Sequence, residues 1–168
     1  MKPSQIIMAH GSGGLLSQRL IEEYFVRAFA EGEGLWELND GAVLDLPPGK
    51  AVISTDSFVI SPLFFPGGDI GKLAVSGTVN DLVACGARPL YLSTAFILEE
   101  GFSLDSLGEI VKSMARTAQQ AGVKLVTGDT KVVERGSADQ VFINTTGIGV
   151  IPPGIDYRPG RIKPGDRI

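Results

Sequence analysis

A long apolar helix, with clear start and stop signals, dominates the middle of the sequence. It is predicted between Asp69, a typical N-cap after the loop PLFFPGG, and Gly86, which shortly precedes Pro89. The residues between these ends are apolar on nearly every side, which predicts a buried helix. A rotation of roughly 100° per residue places Asp81 in the apolar sector. A buried carboxylate is costly unless a positive group meets it, so Asp81 is a candidate functional residue.

Two further aspartates follow apolar runs of the sequence. Asp56 comes after Ala51, Val52 and Ile53, and Asp129 comes after residues 123–127. Both are therefore predicted at the C-terminal ends of buried strands. If they converge with Asp81, the three carboxylates are suited to magnesium, which proteins hold by carboxylates together with substrate phosphates. Two alternatives remain open: Asp81 bonds to a neighbouring amide or arginine, and residues 128–131 form an ordinary polar turn.

Polar and glycine residues near these aspartates are suited to phosphate binding. The loop HGSGG, which includes Gly11, Gly13 and Gly14, precedes a helix predicted from Ser17 to about residue 30. It lacks the lysine and spacing of a P-loop, so a flexible N-terminal arm is the alternative. After Asp129, Thr130 can donate a hydrogen bond and Lys131 can neutralise a phosphate. The single histidine, His10, has no second histidine or cysteine nearby to build a zinc site.

The composition narrows the class of protein. The 168 residues, with 43% hydrophobic and 20% charged residues, predict one globular domain. A net charge of −4 argues against nucleic acid or an anionic membrane as partner, although a metal-bound nucleotide remains possible. One cysteine excludes an intramolecular disulfide and favours a reducing compartment, and no apolar run has membrane-spanning length. The predicted location is the cytoplasm.

The order of predicted elements is α-β-β-α-β-α-β-β. It includes a hairpin of strands 42–46 and 50–55, strands 90–98 and 141–151, and an amphipathic helix that Ser103 opens and Gly122 closes. The predicted fold class is α+β, with a mixed or antiparallel sheet and helices on one face. Residues 1–151 are predicted to form the domain, and the Pro/Gly-rich residues 152–168 a linker. Residues 31–41 form a polar connection with a turn at Asp40 and Gly41, and a role for Asp40 in the metal site is left open.

Three segments, HGSGG, STDSFVISPLFFPGGDIGKLAVSGTVNDLVACGARP and TGDTKVVERG, carry a family resemblance. Together they resemble the hydrogenase maturation factor HypE, of the ATP-binding superfamily that includes aminoimidazole ribonucleotide synthetase and selenophosphate synthetase. The resemblance implies a domain whose sheet joins that of a second subunit in a barrel-like homodimer, with ATP near the junction. The apolar strands LYLSTAFIL and VFINTTGIGVI independently favour self-association. The resemblance also implies a C-terminal domain and a tail cysteine, which this sequence does not contain.

The resemblance implies a carbamoyl dehydratase. A carbamoyl group on the tail cysteine is activated by ATP, through attack of its amide oxygen on the γ-phosphorus, and becomes the thiocyanate that supplies the cyanide ligands of NiFe hydrogenase. The carbamoyltransferase HypF and the HypC–HypD complex are the implied partners. The residues implied for Mg²⁺ are Asp56, Asp81 and Asp129. The same three aspartates are implied for ATP, together with Lys72, Asn80, Thr130, Lys131, Gly11, Gly13 and Gly14. Lys131 would also neutralise charge on the phosphate during its transfer.

Without the tail cysteine, this chain alone is expected not to turn over. Its one thiol, Cys85, is predicted to be buried in the last turn of the apolar helix, where it is poorly suited to catalysis. Two alternative functions remain open. One is a non-catalytic module for dimerisation and docking, and the other is a related ATP-dependent synthetase or kinase.

Overall fold

The computed structural model describes residues 4–30, 39–157 and 159–167. The N-terminal part is helical from residue 15 to residue 29, with a central turn of π-helix. In chain order the elements are a 3₁₀ turn Met8–Gly11, helix α1 (Leu15–Leu20), the π-helical Ile21–Val26, helix α2 (Arg27–Phe29), strands β1 (Lys50–Phe58), β2 (Phe64–Phe65) and β3 (Gly68–Asp69), helix α3 (Ile70–Ala84), strand β4 (Arg88–Glu99), helix α4 (Leu104–Ala121), strands β5 (Lys124–Val133) and β6 (Val141–Ile151), and a 3₁₀ turn Pro159–Arg161.

A four-stranded mixed sheet forms the centre of the fold, in the order β1-β6-β4-β5. Strand β6 runs antiparallel to both β1 and β4, while β4 and β5 are parallel and are joined through α4. Strands β2 and β3 form a separate two-stranded hairpin. Helices α3 and α4 pack against each other and against the sheet, and their apolar side chains form one buried cluster with it. The predicted α+β class with a mixed sheet is confirmed.

Helix α3 begins and ends where the sequence predicts. One side-chain oxygen of Asp69 accepts the backbone N–H groups of Gly71 at 2.8 Å and Lys72 at 3.1 Å. The other oxygen accepts the hydroxyl of Ser113 on α4 at 2.5 Å, so the cap also joins the two helices. After the helix, Gly86 adopts a φ of +78°, a conformation that favours glycine.

The prediction that α3 is buried on all sides is wrong. The sheet and α4 cover one side only, where residues such as Ala74 and Leu82 are fully buried. The opposite side is exposed and includes Asp81 and Cys85. Helical spacing identifies the residues that share a face, but an almost uniformly apolar helix gives no indication of which face its neighbours cover. The predicted burial of both Asp81 and Cys85 is therefore wrong.

Helix α4 also matches its prediction. The hydroxyl of Ser103 accepts the N–H of Ser106, and Gly122 ends the helix with a φ of +68°. The two long helices approach closely at Gly71, because a Cβ there would lie 2.6 Å from the carbonyl oxygen of Ile110. Glycine is thus required at this helix–helix contact for steric reasons.

Three strand predictions need correction. Residues 42–46 form no strand: Val43 is fully exposed, and the strand that pairs with β1 is β6. Asp56 and Asp129 lie within strands rather than at their ends, since β1 continues to Phe58 and β5 to Val133. Both strands are edge strands of the sheet, where polar residues reach solvent without leaving the ladder. The prediction that β1 is buried is wrong for the same reason.

The predicted connections are only partly described. Of residues 31–41, the stretch 31–38 lies outside the described residues, and Asp40 and Gly41 form a bend. In the predicted linker, Ile155 and Tyr157 lie against Gly86, and the boundary at residue 151 stays a prediction. Within the part of the chain that the structure describes, none of the helices combines the length and apolar character needed to cross a bilayer.

Candidate functional site

Asp56 and Asp81 lie on either side of the contact between β1 and α3. The hydroxyl of Ser54 donates to Asp81 Oδ2 at 2.8 Å, and Ser54 is two residues from Asp56 on the same face of the strand. Asp56 Oδ2 lies 3.7 Å from the position that a Cβ would take on Gly77, one helical turn before Asp81. We call Ser54, Asp56, Gly77 and Asp81 the carboxylate seam. The seam brings two exposed carboxylates to one surface.

The backbone packing of Gly77 determines the width of this seam. A Cβ on Gly77 would lie 2.8 Å from the ring of Phe58, which is buried at the end of β1. Only glycine therefore allows α3 to approach β1 this closely. Asp56 Oδ1 accepts the N–H of Ser57 at 2.8 Å, so one oxygen of each carboxylate is oriented by the protein.

A second group of predicted residues lines a cavity of about 700 Å³ between the N-terminal helical segment and β5. We call it the glycine-loop cavity. Its polar wall includes His10, Gly11, Gly13, Asp40, Thr94, Asp129, Thr130 and Lys131, and its apolar wall includes Phe25, Phe29, Val43 and Leu44. The structure therefore brings the HGSGG loop and the GDTK segment together, as the phosphate-binding prediction requires. It also adds Asp40, whose role the sequence left open.

Close backbone packing positions the glycine loop against β5. A Cβ on Gly11 would lie 2.9 Å from the backbone nitrogen of Val132, so the loop contacts the strand through glycine. Gly13 has a φ of +76° and donates its N–H to the Ser17 hydroxyl at 3.0 Å, which ties the loop to α1. A Cβ on Gly128 would clash with the carbonyl oxygen of Thr94, so only glycine allows β5 to approach β4 this closely there.

Two polar side chains of the cavity wall are buried. His10 is 6% exposed, and its Nδ1 accepts the backbone N–H of Ile7 at 3.0 Å. Burial lowers the pKa of His10 from its ordinary value, and a ring whose Nδ1 accepts a hydrogen bond is in its neutral form. Thr94 is 3% exposed, and its hydroxyl oxygen has no hydrogen-bond partner among the described residues.

The carboxylate seam and the glycine-loop cavity lie at opposite edges of the sheet. Asp56 is in register with Thr145, then Thr94, then Gly128, so about 14 Å separates the edge strands at this level. Asp129 is one residue further along β5 and therefore points to the opposite face. Among the described residues, no group of three His, Cys, Asp or Glu side chains could hold a metal ion. Within one chain Asp129 therefore does not lie beside Asp56 and Asp81, and a magnesium site formed by all three carboxylates stays a prediction.

The remaining predicted residues, Lys72, Asn80 and Gly14, are members of neither group. Lys72 donates its Nζ to the carbonyl oxygen of Gly67 at 2.8 Å and so holds the β2–β3 hairpin. Asn80 is exposed on α3 next to Asp81, and Gly14 is the N-cap of α1. The sequence reasoning missed roles for Ser54 and Thr94. Ser54 had a usable signal, since a strand places it on the same face as Asp56.

The matched family agrees with this architecture. Residues 38–151 match the family described as AIR synthase related protein, N-terminal domain. The chain belongs to this family. The match includes the sheet, α3, α4 and both edge strands that carry the predicted aspartates.

Individual relatives confirm the resemblance to HypE. The chain is 58% identical over 168 residues to carbamoyl dehydratase HypE of Azotobacter vinelandii, covering 100% of this chain and 49% of the relative. A crystal structure of hydrogenase maturation protein HypE in complex with ATP has a TM-score of 0.83 at 57% identity, covering 87% of this chain and 43% of that one. A HypE–HypF complex has a TM-score of 0.63 at 55% identity, covering 82% and 44%. This chain thus spans about half the length of its relatives.

Proposed function

We propose that this chain is the ATP-binding N-terminal half of a carbamoyl dehydratase of NiFe-hydrogenase maturation. The complete enzyme would use ATP to convert a carbamoyl group on a protein cysteine into a thiocyanate, which supplies the cyanide ligands. The observation that carries the proposal is the glycine-loop cavity, which joins the HGSGG loop to Thr130 and Lys131. Similarity to a HypE that was crystallised with ATP supports it.

The polar wall of the cavity is suited to a phosphate chain. Gly11 and Gly13 allow the backbone of the loop to approach a ligand closely, Thr130 supplies a hydroxyl donor, and Lys131 supplies a positive charge. Phosphoryl transfer depends mainly on positioning and charge neutralisation, so these residues would stabilise the transferring phosphate without forming a covalent bond to it. The apolar side chains opposite them would help to exclude water.

The carboxylate seam fits magnesium. Asp56 and Asp81 present carboxylate oxygens on one surface, and Mg²⁺ is commonly held by one or two carboxylates plus substrate phosphates. The ion would offset phosphate charge, while Ser54 orients Asp81 and the Ser57 N–H orients Asp56. Asp129 lies at the other edge of the sheet and points to its opposite face. It would therefore bind a second ion, or it would bind the same ion as Asp56 and Asp81 only if it came from another subunit.

A homodimer would bring the two groups together. Within one subunit about 14 Å of sheet separates them, whereas a second copy joined to the sheet can place its own Asp129 and Lys131 beside Asp56 and Asp81. Exposed apolar residues on this sheet, such as Ile53 at 69% and Ile97 at 40%, favour such a contact. The proposed site is therefore shared between two subunits.

The other parts of the proposal concern the complete protein. Turnover would need the C-terminal half and its cysteine, so this chain alone is expected to bind Mg-ATP without forming thiocyanate. HypF and a HypC–HypD complex are the proposed partners, the former because a relative was crystallised with HypF. The proposed location is the cytoplasm, where a single thiol stays reduced.

Calorimetric titration with ATP and magnesium tests the nucleotide site. Asp81→Ala is expected to weaken Mg-ATP binding about ten-fold or more, because a charged ligand contact is lost. Asp139→Ala, the same change in an exposed loop, is the matched control. The apo Asp81→Ala protein should be at least as stable as the parent, because repulsion from Asp56 is relieved. Equal affinities in the two folded variants would refute the proposed role of Asp81.

Light scattering tests the shared site. The chain is expected to be a dimer at micromolar concentration, and a mixture of Asp81→Ala and Lys131→Ala chains should regain part of the Mg-ATP binding that each variant loses. Complementation follows because a mixed dimer contains one site without either substitution. A stable monomer that still binds Mg-ATP would rule out the shared site while leaving nucleotide binding intact.

A further inference from the structure

The His10 side chain holds the turn that leads into the glycine loop. Its Nδ1 accepts the N–H of Ile7 at 3.0 Å, and its own backbone N–H donates to the Ile7 carbonyl at 2.9 Å. A neutral imidazole that accepts at Nδ1 must carry its proton on Nε2. Burial lowers the pKa of His10, which favours this neutral ring. The Nε2–H is thus a donor whose position is determined by the fold.

Two polar groups on the wall of the glycine-loop cavity are available to a ligand. The buried hydroxyl of Thr94 has no hydrogen-bond partner among the described residues, and the hydrogen bond of the His10 ring runs through Nδ1, not Nε2. Both residues line the same cavity as Thr130 and Lys131. Buried polar groups are nearly always hydrogen-bonded, and leaving one unpaired costs free energy. A ligand with acceptor oxygens would satisfy both groups.

We propose that His10 is a ligand-binding residue whose Nε2–H donates to a phosphoryl oxygen of the bound nucleotide, with the Thr94 hydroxyl as a second donor. The inference rests on the proposed function and adds neutral donors to Lys131. A phosphoryl oxygen is favoured over the nucleoside because His10 directly precedes Gly11, on the wall where the loop backbone approaches a ligand. The apolar wall around Phe25 and Phe29 is left for the less polar part of the ligand.

Two substitutions separate the turn-holding role of His10 from ligand binding. Asparagine has its side-chain oxygen near the position of Nδ1, so His10→Asn keeps the acceptor for Ile7 N–H and removes the Nε2–H. Glutamine places an N–H near the position of Nε2 and removes the Nδ1 acceptor. His10→Asn should weaken Mg-ATP binding about ten-fold or more, and His10→Gln should bind more tightly than His10→Asn. A purely structural histidine predicts the reverse order.

The Thr94 hydroxyl is tested in the same titrations. Thr94→Val preserves the shape of the side chain but removes the donor, and it should weaken Mg-ATP binding several-fold, whereas Thr94→Ser should restore it. Circular dichroism confirms that each variant is folded. If His10→Asn binds Mg-ATP as tightly as the parent, the inference is refuted while the proposed function stands. If the parent itself does not bind Mg-ATP, both are refuted.

Nuclear magnetic resonance provides a direct readout, because His10 is the only histidine. In protein labelled with ¹⁵N-histidine, the imidazole spectrum should show the Nε2–H tautomer at neutral pH. Mg-ATP and magnesium tripolyphosphate should both shift the Nε2 resonance, and adenosine should not. A shift with adenosine but not with tripolyphosphate would overturn the phosphoryl assignment. A histidine protonated on Nδ1 would overturn the inference entirely.

Discussion

The cap of α3 gives a quantitative test of how the central helix is held in place. Asp69 is buried and accepts the N–H groups of Gly71 and Lys72 as well as the hydroxyl of Ser113. Replacing it with alanine removes an N-cap, at about 1 kcal/mol, and leaves the buried Ser113 hydroxyl without its acceptor, at about 2 kcal/mol. Asp69→Ala should therefore lower the free energy of unfolding by about 3 kcal/mol.

Urea unfolding measures this loss, and the structure supplies a matched control. Asp105→Ala is the same substitution in the first turn of α4, at an exposed position, and should cost about 0.5 kcal/mol. The double variant Asp69→Ala/Ser113→Ala should lose less than the two single losses added, because the two residues share one hydrogen bond. A loss at Asp69 no larger than at Asp105, or strict additivity with Ser113, would refute the role of Asp69 as a cap that joins α3 to α4.

Three further predictions concern other parts of the fold. Gly71→Ala should lower the free energy of unfolding by about 2 kcal/mol or more, because its Cβ would meet the Ile110 carbonyl oxygen at 2.6 Å. In the same urea assay Gly14→Ala should change the free energy of unfolding far less, because the atom nearest to its Cβ would lie 4.0 Å away. The unfolded state binds a proton at His10 more readily than the native state, so the stability due to a neutral His10 is lost as pH falls below about 6.5. His10→Asn should lose less stability than the parent between neutral and mildly acidic pH, and equal losses by urea unfolding would contradict this. Cys85 is exposed, so a thiol reagent should modify the folded protein without changing its Mg-ATP affinity, and modification only in urea would contradict the structure.

Local capping signals predicted the helices of this chain well. The N-cap residues Asp69 and Ser103, and the glycines Gly86 and Gly122, mark ends that depend on backbone groups within one helical turn. Such signals need no knowledge of the rest of the fold. Together with the apolar strand patterns they led to the α+β class, although the predicted strand 42–46 is not formed and the β2–β3 hairpin was not predicted.

The site depended on contacts that are distant in the sequence, and there the predictions were less accurate. Asp56 and Asp129 were placed at strand ends because polar residues usually end a buried run, but both belong to edge strands, which tolerate polar residues throughout. Their separation across the sheet follows from the strand order β1-β6-β4-β5, which no local pattern contains. The exposure of Asp81 likewise depends on which side of α3 its neighbours cover.

The position of Asp81 follows from two glycine contacts on α3. Gly71 allows the N-terminal part of α3 to approach the backbone of α4, and Gly77 allows its middle to approach Phe58 at the end of β1. Asp81 lies one turn after Gly77, so any side chain that moves α3 away from β1 also moves Asp81 away from Ser54 and Asp56. The apolar character of the helix and the placement of its carboxylate are thus parts of one arrangement. Helix packing determines the width of the carboxylate seam, and in the proposed homodimer the subunit contact would determine what lies opposite it.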